Sequence, residues 1–216
     1  MQRLRLRARR RARRRVGLSM VVVGLALLGG VAYQLWGTGI VTSRAQAVFR
    51  HELAVRGFPA TPREGRPVGV LRIARIGLDM AVVQATNWWT LQLGPGHDAA
   101  TPLPGEGGNV VIDGHRTTFL HPFWSLDRLG PGDLVTLETA NGRFIYRVVW
   151  QRVIPPGATW VTGPTAVPSL TLSTCTPRFS SARRLVVRAV QVYGAVPGGF
   201  LDRLPAVRQS GGAPRP

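Results

Sequence analysis

Hydrophobic positions follow two regimes along this chain. Residues 16–36 form an apolar run from Val16 to Trp36, and no charge follows until Arg44. A helix of about 20 apolar residues spans a bilayer. From Val68 onward the apolar positions come in short runs: Val68–Ile73, Met80–Gln84, Val110–Ile112, Leu134–Glu138, Arg143–Trp150, Leu170–Thr174 and Leu185–Val192. Glycine and proline punctuate them, so they predict strands. Asn141-Gly142, between two of these runs, is a strong hairpin signal. Trp88–Leu91 predicts a short helical or irregular packing segment, and Pro122–Leu129 one or two helical turns stopped by Gly130-Pro131-Gly132. Many short strands, frequent turns and little helix predict a mainly β fold closed into a barrel.

Between the two regimes, Ser43 to Gly57 predicts a short helix. Ser43-x-x-Gln46 fits a capping box and Gly57 a C-terminal stop. Pro59, Pro62 and Pro67 then mark a linker. The resulting organisation is an Arg-rich segment over 1–15, a transmembrane signal-anchor over 16–41, a stalk over 42–67, a β-barrel over 68–194 and a disordered tail over 195–216.

Charge sharpens the membrane reading. The net charge is +18, but nine arginines fall within the first 15 residues, leaving +9 for the other 201. That block ahead of the apolar run places the N-terminus in the cytoplasm by the positive-inside rule, and the rest of the chain outside the plasma membrane. A signal peptide cleaved near Ala45-Gln-Ala47 is the rival reading. An uncleaved anchor is favoured because the run exceeds a signal h-region. No nucleic-acid recognition motif accompanies the charge, so no nucleic-acid partner is expected.

The chemistry centres on Cys175, the chain's single cysteine. One cysteine excludes an internal disulfide and any multi-thiolate metal site. It closes the run Ser169-Leu-Thr-Leu-Ser-Thr-Cys175, just before Thr176-Pro177. Alternation puts Thr171, Ser173 and Cys175 on one face of that strand, with Leu170, Leu172 and Thr174 on the other. His115 ends the strand Asn109-Val-Val-Ile-Asp-Gly114-His115, where Gly114 permits a sharp turn. Arg183-Arg184 opens the last strand. A thiol, an imidazole and a guanidinium at three strand ends suit a nucleophile, an acid/base and an oxyanion partner. His97 and His121 rank below His115 because neither ends a defined strand. The four histidines lack metal-ligand spacing, so no zinc site is expected.

The segments Gly114-His115-Arg116-Thr117-Thr118, Thr171-Leu-Ser-Thr-Cys175-Thr-Pro177 and Arg184-Leu-Val-Val resemble those of the sortases, the membrane-anchored cysteine transpeptidases of Gram-positive bacteria. The resemblance covers roughly Val68–Tyr193. Gly94-Pro-Gly-His97 through Asn109 is similar to actinobacterial class E members. The resemblance implies a closed eight-stranded sortase-type β-barrel with short helices. It implies that Cys175 attacks the Thr-Gly bond of a C-terminal sorting signal, of Leu-Ala-x-Thr-Gly or Leu-Pro-x-Thr-Gly type, to form a thioacyl-enzyme. His115 would be the acid/base, Arg184 the oxyanion partner and Thr174 a substrate-positioning residue. Arg183 takes the arginine role if the register slips by one. The implied partners are secreted proteins bearing the signal and the amine of a cell-wall precursor of lipid II type. Hydrolase-class cysteine chemistry with no cofactor and no metal is expected. Two other readings stand beside this one: another cell-wall cysteine peptidase, and an inactive tethered barrel that binds peptide or wall polymer.

Overall fold

A computed structural model describes residues 2–194 of the chain. The tail expected over 195–216 lies outside the described residues. Helix α1 (Gln2–Ala32) passes through a π-helical turn at Tyr33–Gly37 into α2 (Thr38–Arg56). The stretch Arg13–Ala32 is long and apolar enough to cross a membrane, and its residues are not buried within the fold.

Helix α2 starts at Thr38, ahead of the expected cap at Ser43, because the chain arrives already helical. The capping box therefore does not form. Gln46 is buried and serves the barrel instead: its amide donates to the carbonyls of Ala81 (3.0 Å) and Leu93 (2.9 Å) and accepts from the Ala81 N–H (2.8 Å). Phe49 packs with Ala81 and Val83 beside it. The segment expected as a stalk thus begins with a helix laid against the barrel. Gly57 ends it as expected, with φ +72° and its N–H on the Leu53 carbonyl.

Eight strands close the barrel: β1 (Pro67–Ile73), β2 (Leu78–Gln84), β3 (Gly96–His97), β4 (Asn109–Asp113), β5 (Leu134–Thr139), β6 (Gly142–Ile154), β7 (Ser169–Thr176) and β8 (Arg183–Tyr193). Their order around the barrel is β1-β2-β3-β4-β7-β8-β6-β5. Closure removes every open sheet edge. Most neighbours are antiparallel, whereas β2–β3 and β4–β7 are parallel. The β5–β6 turn is Ala140-Asn141, one residue earlier than the Asn-Gly signal suggests: Gly142, at φ +119°, already pairs with Thr139.

Alternate strand residues fill the interior. Leu71, Ile73, Val82, Ile112, Tyr146, Leu170, Leu172 and Leu185 form one cluster, which Phe123 and Leu126 of the β4–β5 connection join. Phe123 also explains Gly114. A Cβ there would lie 2.7 Å from the Phe123 ring, so this position needs a small residue for space rather than for a left-handed turn.

Candidate active site

Three strand ends meet at one end of the barrel. Strands β4 and β7 run parallel in register, Asp113 beside Ser173. Past that pair, the Gly114 N–H donates to the Ser173 carbonyl (3.1 Å), and the Thr174 hydroxyl donates to the Gly114 carbonyl (2.7 Å). His115 and Cys175 are the next residues on the two segments. On the other side of β7, Cys175 is the direct antiparallel partner of Arg184, and Thr176 that of Arg183. Directly opposed residues project from the same sheet face. The register therefore sets Arg184, not Arg183, across from the thiol. Thr174 is buried inside the barrel, so its hydroxyl joins the two strand ends rather than facing the outer side of β7.

Cys175 is half-buried. Arg184 is partly exposed, and its guanidinium donates to the carbonyls of Ser181 (3.2 Å) and Arg183 (3.3 Å). His115 sits among aromatic rings, 5.0 Å from Phe119 and 5.9 Å, edge-on, from Trp88. Its Nε2 is buried and has no hydrogen-bond partner among the described residues. Burial holds the imidazole below the ordinary histidine range.

A cleft of about 180 Å³ opens beside this group, walled by Asp113, Ser173, Arg184 and Val186 and by Pro156, Thr159 and Val161 of the β6–β7 connection. That connection is pinned from beneath. Asn109 donates to the carbonyls of Val161 (2.9 Å) and Gly163 (3.0 Å), and the buried Arg188 donates to Val161 (2.7 Å). Burial raises the Asp113 carboxyl above the usual carboxylate range, against the lowering effect of the Ser173 hydroxyl.

Two features were not legible in the sequence. Arg116 follows His115 in the segment that carries the resemblance, but nothing in the sequence gives its side chain a role. In the fold its side chain is 5% exposed, donates to the Thr176 hydroxyl (2.8 Å) and lies 3.1 Å from Asp127, which Arg178 also engages (3.2 Å). It clamps the residue that follows Cys175. Trp88 belongs to no chemical motif and lies far from His115 in sequence, yet its indole packs edge-on against that imidazole. His97 proves structural: it is buried, with Nδ1 3.0 Å from Gln84 Oε1 and Nε2 3.2 Å from the Pro102 carbonyl. His121 stays exposed, its ring 5.4 Å from that of Trp124.

A closed barrel carrying a cysteine, a histidine and an arginine on three neighbouring strand ends defines a class of thiol enzyme scaffold. The family model described as the sortase domain matches residues 71–192, more than half of the chain, and the chain belongs to the sortase family. It is 28% identical over 199 residues to sortase SrtE1 of Streptomyces coelicolor, covering 82% of this chain and 56% of the relative. It is 30% identical over 134 residues to sortase D of Bacillus subtilis, covering 62% and 65%. The chain thus spans less than two thirds of the length of either relative. The solved structure of sortase E from Streptomyces avermitilis superposes with a TM-score of 0.54 at 31% identity, over 60% of this chain and 90% of that one.

Proposed function

We propose that the chain is a membrane-anchored cysteine transpeptidase acting on C-terminal sorting signals. The observation that carries the reading is the β4–β7–β8 register, with Cys175 opposite Arg184 and one strand end from His115. In the first half-reaction the thiol gives its proton to His115 and the sulfur attacks the threonine carbonyl of a Thr-Gly bond. The carbonyl oxygen takes up negative charge, which the Arg184 guanidinium offsets. The C–N bond then breaks as His115 returns the proton to the departing glycine nitrogen, leaving a thioacyl-enzyme. In the second half-reaction an incoming amine attacks the thioester, His115 takes its proton, and an amide forms as the thiol is restored. Arg116 and Thr174 act as positioning residues for the two reacting segments.

The substrates in this reading are secreted proteins with a Leu-Ala-x-Thr-Gly or Leu-Pro-x-Thr-Gly signal, and the acceptor is an amine of a lipid II-type wall precursor. The Arg-rich segment 1–15 lies in the cytoplasm, the apolar helix crosses the plasma membrane, and the barrel over 68–194 works outside. The test incubates the full chain in detergent with each peptide and a small amine, and identifies products by mass spectrometry. Cleavage after threonine with an amine-capped product, lost in Cys175→Ala, is the expected result and also selects the motif. Failure to cleave either peptide, with Cys175 inert to iodoacetamide, would overturn the reading.

A further inference from the structure

We propose that the end of the barrel carrying the candidate site docks on the surface of the membrane that α1 crosses, so that the cleft opens at headgroup level. The inference rests on the reading of α1 as a membrane span and goes beyond it by orienting the barrel.

Connectivity sets the direction. Strands β5, β6 and β8 fix the two ends of the barrel: the Thr139–Gly142 turn lies at one end, and Ile154 pairs with Arg184 at the other. Strand β1 begins at the turn end, because its Gly69 pairs with Thr139. Helix α2 runs between these ends. Its first residue, Thr38, accepts a hydrogen bond from the Phe119 N–H (3.2 Å), and Phe119 packs against His115. Its last turns reach the start of β1, where Glu52 pairs with Arg66. The apolar helix therefore enters from the end that bears His115, Cys175 and Arg184. Only the short turn Tyr33–Gly37 separates Ala32, the last residue of the apolar stretch, from Thr38. At 1.5 Å per helical residue the step from Ala32 to Thr38 is roughly 9 Å.

The surface at this end fits a bilayer interface. Trp88, Trp89, Leu120 and Phe179 are exposed there, at 60, 74, 40 and 68%. Tryptophan and phenylalanine suit the boundary between headgroups and acyl chains. The exposed arginines Arg75 and Arg128 stand on turns at the same end and Arg183 opens β8 there, so the charge complements anionic headgroups. The neighbouring turn at Phe119, Leu120 and His121 has three successive positive φ values, 54°, 59° and 39°, and holds Leu120 outward against α2 at Gly39.

The test uses the full chain in nanodiscs containing phosphatidylglycerol. Cys175→Ser removes the native thiol, and single cysteines replace Val21, Trp89, Phe179 or Ala140, each labelled with an environment-sensitive fluorophore. Nitroxide-bearing lipid is the quencher. Labels at 89 and 179 are expected to be quenched several-fold more than the label at 140, on the opposite end. Arg75→Glu with Arg128→Glu should weaken that quenching. Quenching at 21 with none above the level of 140 at 89 or 179 would overturn the docking while leaving the span intact. Absence of quenching at 21 would remove the span and the docking with it. Shielding of 89 and 179 from a water-soluble quencher without lipid quenching would assign the rim to a second protein copy and equally overturn the proposal.

Discussion

An imidazole flanked by Phe119 and Trp88, with its Nε2 lacking a partner among the described residues, is costly to protonate in place. The folded protein then binds fewer protons at His115 than the unfolded chain does below the ordinary histidine value of 6.5. Its contribution favours stability above pH 6.5 and is lost as pH falls from there through the lowered value. Trp88 is mostly exposed on its far side, so Trp88→Ala should hydrate the ring without emptying the core. The His115 titration, followed by its ring-proton NMR signal, is expected to move upward toward 6.5 in that variant. An unchanged midpoint would show that the indole does not desolvate the ring. Arg184 carries a separate expectation. Loss of one oxyanion donor lowers kcat by about 10²–10³ in well-studied hydrolases, so Arg184→Ala should fall by a similar factor while Arg183→Ala stays near the parent. Steady-state kinetics with the sorting peptide separates the two, and equal losses would contradict the register argument.

At the scale of elements, the ends of β4 and β7 are held by contacts that a strand pattern does not reveal. Arg116 links the Thr176 hydroxyl to Asp127 of the β4–β5 connection. Breaking a fully buried pair costs about 3–5 kcal/mol, and Asp127 keeps part of its solvent, so Arg116→Ala should lose roughly 2–3 kcal/mol in urea unfolding. It should lower kcat as well, since the residue after Cys175 is released. The docking of α2 is a second case. Gln46→Ala leaves the Ala81 N–H without its amide acceptor, at a cost of about 1–3 kcal/mol. Urea unfolding of the full chain checks it, and no measurable loss would mean that Phe49 and the other contacts of α2 hold the helix without the amide. The alternation on β7 was readable because Leu170 and Leu172 face the core while Ser173 and Cys175 do not. The two-residue strand β3 was not, because Gly96 and His97 sit in a Gly/Pro-rich stretch with no period to detect. Its pairing with both β2 and β4 is a property of the closed barrel rather than of those residues.

For the whole molecule, the mainly β barrel and the apolar N-terminal helix followed from the spacing of apolar residues, and the convergence of Cys175, His115 and Arg184 at one end of the barrel from their places at strand ends. What that spacing left open was how the parts meet. Helix α2 lies along the barrel wall instead of standing off from it, because Gln46 and Phe49 face inward to Ala81 and Val83 on β2, with Gln46 and Ala81 35 residues apart in the chain. The β6–β7 connection takes its shape from Asn109 and Arg188, which belong to other strands. Such long-range contacts leave no local signature. The central claim is that Cys175, in this setting, forms a covalent acyl intermediate. The most direct measurement is the intact mass of the full chain after brief exposure to a sorting peptide without added amine, followed by mapping of the modified residue. A mass gain equal to the peptide ending at threonine less one water, placed on Cys175 and absent from Cys175→Ala, is the predicted result. Peptide cleavage with an unmodified Cys175, or with cleavage retained in Cys175→Ala, would contradict it.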